Sequence, residues 1–229
     1  MWEIKFKLNM AGLTSSTIGR KYAMALSAMF LLIFLVMHLS VNLLSVFGAT
    51  AYNNASQFMG YNPLIQFVMQ PVLMFAVIFH FVMGFVLEIK NQRARPIGYD
   101  KNNGSANSTW SSRNMIISGG VILAFIFLHM YDFWFHEMNY KYVNGLPIEE
   151  SRFWGDLHNK FADLWRVVLY VVAFGLLGVH LAHGFQSSFQ SVGARHPKYT
   201  PIIKAFGNWY SILIPLGFIF IAVFHYVTQ

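Results

Sequence analysis

Five apolar stretches, each long enough to cross a bilayer, limit what this chain can fold into more than any other feature. A hydrocarbon core of about 30 Å takes about 20 residues of helix. The stretches run near 22–47, 64–89, 114–135, 165–190 and 208–227. With 56% hydrophobic and 11% charged residues, a chain of 229 residues cannot hide five such segments from water. Backbone polar groups in lipid must be satisfied within the segment, so the spans are expected to be helices. The expectation is an all-α integral membrane bundle of five transmembrane helices, one domain over residues 1–229.

The first 20 residues are polar and lack the apolar region and small-residue cleavage site of a signal peptide. Zero cysteines exclude disulfides, thiolate-ligated iron–sulfur clusters and covalent c-type haem. No Gly-rich nucleotide fingerprint or Walker motif is present, so dehydrogenase chemistry would have to reside in a partner chain.

Charge sets an expected orientation. With five spans, residues 1–21, the 91–113 loop and the 191–207 loop share one side. That side and its flanks carry twelve Lys and Arg, among them Lys5, Lys7, Arg20, Lys21, Lys90, Arg93, Arg195 and Lys204, against Glu3, Glu88 and Asp100. The opposite side carries four Lys and Arg against six Asp and Glu. Basic residues near short loops stay cytoplasmic, which puts the N-terminus in the cytoplasm and the C-terminus outside. The same rule accounts for the basic balance without nucleic acid. The longest outer loop, 136–164, has Gly145 and Pro147 as its turn and is expected to pack over the outer end of the bundle.

Five of nine histidines lie within the first four apolar spans: His38, His80, His129, His180 and His183. An ionisable group at membrane depth is costly, faces the bundle interior and marks function. A rise of about 1.5 Å per residue converts sequence position to depth. Spans one and three run outward, and His38 and His129 both fall in their outer halves. Spans two and four run inward; His80 lies in the inner half, His180 just past the middle and His183 one turn deeper. Two pairs follow, His38 with His129 and His80 with His180 or His183. Facing imidazoles at one depth can clamp an iron, as cofactor sites in helical bundles do. With both axial positions filled, a haem carries electrons in preference to activating oxygen. Two stacked bis-histidine haems would form a relay across the membrane. His225, near the outer end of span five, has no depth-matched partner and is expected at the interface; His136, His158 and His196 fall in loops and are expected to be solvated. Ser16 and Arg20 open span one as cap and anchor, with contacts to haem propionates as the functional alternative.

The segments SSTIGRKYAMALSAMFLLIFLVMHLSVNLL, LHMYDFWF and HLAHGFQSSFQSVG, with His80 between the first two, span nearly the whole chain. In this arrangement the chain resembles the dihaem cytochrome b membrane anchor of succinate:quinone oxidoreductases, the succinate dehydrogenases and fumarate reductases. In that family the fourth-helix ligand is followed by Gly four and about thirteen residues later. Gly184 and Gly193 stand at those offsets from His180, which favours it over His183. The resemblance implies two haem b groups and a quinone, often menaquinone, near the outer haem. It implies a flavoprotein and an iron–sulfur subunit on the cytoplasmic face of a bacterial inner membrane, and no succinate chemistry in this chain itself. Some fumarate reductases of the group carry Glu two residues before the fourth-helix ligand; Gly178 stands there instead, which puts proton compensation through that Glu in doubt. The rival expectations are a cytochrome b anchor of a hydrogenase or formate dehydrogenase, and a transporter that uses the histidines as proton or substrate contacts.

Overall fold

The structure is a computed structural model and describes residues 16–93, 110–147 and 149–229. Glu3, Lys5, Lys7, Arg95, Asp100 and Lys101 of the expected basic side lie outside them. The described residues are helical and contain no strand, and five helices are long and apolar enough to cross a membrane.

The first, α1 (Thr17–Phe47), starts where the Ser16 hydroxyl accepts the Gly19 N–H at 2.9 Å, satisfying one of the donors a helix start leaves open. After Gly48 the chain continues as α2 (Ala49–Tyr61), a polar helix in a segment that carries no apolar run. The second span, α3 (Ile65–Arg93), opens with a π turn over Ile65–Met69. Pro71 explains it: proline has no N–H and its ring crowds the carbonyl four residues back, that of Phe67.

After a short turn, Trp110–Arg113, the third span is α4 (Met115–Val143). It is α-helical to His129 and widens to π geometry over Met130–Phe135 and Asn139–Val143. The expected loop at 136 is therefore helix for a further two turns. Its polar residues are held by ion pairs: Glu137 binds Lys141 at 2.8 Å and pairs with Arg152. Gly145, at φ +58°, makes the turn that glycine favours. The chain then forms α5 (Arg152–Lys160) across the end of the bundle. Leu157 and Phe161 are buried there, and the Trp154 indole donates to the Ser45 carbonyl at 2.9 Å.

The last two spans are α6 (Leu164–Ser191) and α7 (Thr200–Val227), and they form the most extensive helix pair. The start of α7 is eight residues earlier than the apolar run at 208, with Pro201 in its first turn, where the missing N–H costs nothing. Gly193, at φ +83°, closes α6: Ala194 N–H bonds the Phe189 carbonyl at 3.0 Å, the Schellman arrangement that needs a left-handed residue. Hence one of the two glycines that favoured His180 is a helix terminator.

Close packing of α6 on α7 turns on Gly178. Pro215, inside α7, leaves the Ser211 carbonyl four residues back without its helical donor. A Cβ at Gly178 would lie 3.0 Å from that Ser211 oxygen and 3.5 Å from the Pro215 ring. Small residues allow such approach between helices in lipid, where packing and not apolar burial drives association. Gly178→Val should therefore lower the stability of the detergent-solubilised chain by about 1–3 kcal/mol through overpacking. Gly155→Ala, at a position with nothing within 4 Å, should leave it intact. Thermal unfolding of the two variants checks this, and equal melting would contradict the packing argument.

Candidate functional site

Four helices bring four histidines together in two pairs. His38 of α1 meets His129 of α4 with ring centroids 5.7 Å apart and planes at 88°. His80 of α3 meets His180 of α6 at 6.5 Å and 70°. His183, one turn further along α6, has no ring contact with His80 among the described residues. Two imidazoles on opposite sides of one metal ion, each bonded at about 2.0 Å, have ring centroids about 6 Å apart once the ring radii are added. Both separations match that span.

The two pairs have different surroundings. His80 and His180, at the end carrying Arg93 and Arg195, each contact a serine hydroxyl through Nδ1. Ser27 Oγ lies 3.1 Å from His80 Nδ1, and Ser118 Oγ lies 3.2 Å from His180 Nδ1. His38 and His129, towards the α5 end, sit among rings instead. Phe34 and Phe218 flank His38 at 5.2 and 5.6 Å, and Phe125, Phe133 and Tyr170 surround His129. His129 Nδ1 is buried and has no hydrogen-bond partner.

A planar macrocycle needs room beside its ligands, and the residues present fit one. All four rings are only half-buried despite their depth. A Cβ added at Gly184 or Gly120 would meet nothing within 4 Å, and at Gly84 it would meet only the end of the Met24 side chain at 3.6 Å. Each pair offers two nitrogen ligands, and no group of three or more His, Asp or Glu residues suited to a bare ion occurs among the described residues. Two axial donors suit an iron whose other four ligands come from a porphyrin.

Two histidines depart from expectation. His225 is not interfacial but fully buried, at 0% exposure. His158 is not a solvated loop residue: it lies on α5, stacked on Trp154 at 4.4 Å, with Nδ1 3.1 Å from His225 Nδ1. Ser45 donates to the Asn42 carbonyl at 2.6 Å, so it accepts from His225 Nε2–H at 2.9 Å. His225 Nδ1 is then the acceptor of the His158 Nδ1–H. The chain of donors ends on the Asn42 carbonyl and pins α5 to α1 and α7. Only the folding back of α5 brings these partners together, which no local pattern signals. Of the other two histidines expected in loops, His136 stands on the helical extension of α4, 3.9 Å from Asp156, and His196 accepts the Lys198 N–H at 3.2 Å.

Ser16 is an exposed helix cap and Arg20 is half-buried one turn later. Asp132, one turn past His129, is 1% exposed, pairs with Arg166 and accepts the Tyr170 hydroxyl at 2.9 Å. Around α5, burial opposes the charge of Arg152, but Glu137 and Asp156 outweigh it and hold the guanidinium above its ordinary range. Burial pushes the Tyr52 phenol up to about 12. Comparison with family models, curated proteins and solved structures yields no match.

If the His158–His225–Ser45 chain is structural, His225→Leu should cost about 1–3 kcal/mol by stranding buried polar groups. It should leave the optical spectrum of any chromophore held between the other four histidines unchanged. Thermal unfolding together with an absorption spectrum checks this; unaltered stability would contradict it.

Proposed function

We propose that the chain is the dihaem membrane anchor of a succinate:quinone oxidoreductase, an electron conduit between a cytoplasmic flavoprotein and iron–sulfur unit and a quinone, often menaquinone, in the bilayer. The observation that carries this reading is the pair of cross-helix histidine contacts, 5.7 and 6.5 Å between centroids, on four different helices. Haem b, when bound, supplies one-electron transfer at each level. His38 and His129 would hold the outer iron and His80 and His180 the inner one. The apolar wall of Phe34, Phe125, Phe133 and Phe218 would exclude water around the outer ligands.

In this reading the N-terminus and the Arg93 and Arg195 end face the cytoplasm, by the bias of basic residues, and the α5 cap faces outward. Ser16 and Arg20 then stand at the level where inner-haem propionates would emerge. A surface cleft of about 560 Å³ lined by Arg195, His196, Thr200 and Lys204 lies at the same end. It would face the soluble subunits. The bacterial inner membrane is the compartment in which such a complex works.

The purified chain should show a low-spin b-type reduced-minus-oxidised spectrum and two haems per chain. His180→Tyr should remove one haem and His183→Tyr neither. A chain free of haem, or loss on His183→Tyr alone, would overturn the assignment. Labelling with a membrane-impermeant reagent at a single cysteine introduced in the Gly145–Pro147 turn should succeed from outside intact cells; protection there would reverse the orientation.

A further inference from the structure

The placement of each proton decides how His80 and His180 meet their serines. Ser27 Oγ donates to the Met24 carbonyl at 2.8 Å, and Ser118 Oγ donates to the Met115 carbonyl at 3.1 Å. Such bonds to a carbonyl one turn back are ordinary for serine in helices. Each hydroxyl has one proton, and here it is already committed. The 3.1 and 3.2 Å contacts to His80 and His180 must then run the other way, with Nδ1–H donating to serine. Both imidazoles are thereby left with a bare Nε2 lone pair. Two neighbouring imidazoles without a proton between them do not hydrogen-bond each other; they are disposed to share a Lewis acid.

The other pair has no such support. His129 Nδ1 has no partner. Beside His38 Nδ1 stands Asn42 Nδ2, at 3.4 Å and already donating to the His38 carbonyl at 2.8 Å. It is not an acceptor. The arrangement also repeats along two helices: Ser27 precedes His38 by eleven residues, and Ser118 precedes His129 by eleven. Eleven residues are about three turns, so α1 and α4 each present on one face a serine at one level and a histidine at the other. Ser118 is 2% exposed.

We infer that Ser27 and Ser118 are positioning residues for His80 and His180: they fix the Nδ1–H tautomer, aim Nε2 at the metal and make these two imidazoles stronger donors than His38 and His129. The inference rests on the two-haem reading above. A hydrogen bond from Nδ1–H raises ligand basicity, and a more basic ligand favours ferric over ferrous iron. Removing the acceptor should therefore raise the potential of one haem and leave its neighbour alone.

The test is a redox titration with low-temperature electron paramagnetic resonance on the purified full-length chain, comparing wild type, Ser27→Ala, Ser118→Ala and the corresponding Ser→Thr variants. Each Ala variant should keep both haems and shift one of them by about tenfold in the one-electron equilibrium, about 59 mV to more positive potential. The low-spin signal of that haem alone should change, and threonine should restore it. Loss of one haem in the Ala variant with retention in the Thr variant is the same result in stronger form. Unchanged potentials, equal shifts of both haems, or loss of both haems in Ala and Thr variants alike would overturn the inference. A wild-type chain without haem would instead overturn the proposed function.

Discussion

Water is missing from the middle of a bilayer, and every polar group placed there must find its partner within the protein. Four imidazoles at that depth are costly to hold against lipid, and the helices are arranged so that none has to be. Each of α1, α3, α4 and α6 turns its histidine towards a histidine of another helix. The remaining helix, α7, carries no ring to either pair except Phe218. It packs against α6 and carries much of the buried core. The division of labour is plain: one tight helix pair supplies rigidity, and the looser helices around it supply open space beside the rings.

Irregular backbone concentrates where the bundle has to change direction or width. Pro71 sits beside the π turn of α3, Pro215 frees the carbonyl that meets Gly178, and α4 widens immediately after His129. π turns within helices recur at functional sites. Here the widened turn carries Asp132 into a buried network with Arg166 and Tyr170, and Tyr170 touches the His129 ring. Polar end and ligand level are thus linked through one side chain.

How much of this could be read from the residues depended on range. The five spans are legible because an apolar run of 20 residues has few alternatives, and depth is legible because helix rise is constant; together they put His38 with His129 and His80 with His180 or His183, and only the ring contact of His80 with His180 separates the last two. Polar helices were not legible: Ala49–Tyr61 and the extension 136–143 have no apolar run, and ion pairs such as Glu137–Arg152 stabilise the extension from far along the chain. His158 and His225 meet only because α5 folds back. The resemblance makes Gly193 a marker of the fourth-helix ligand, whereas its positive φ assigns it to the end of α6. The spacing of eleven between Ser27 and His38, repeated between Ser118 and His129, was present in the sequence all along. It carries meaning only once the partner histidines on α3 and α6 are known to lie at the serine level.

What decides the function is whether iron sits between the rings. Anomalous diffraction at the iron edge from crystals of the purified protein answers that directly. Two peaks are expected, one between His38 and His129 and one between His80 and His180, separated by about 16 Å along the helix axes. No peak, a single peak, or a peak at the His158–His225 contact would contradict it.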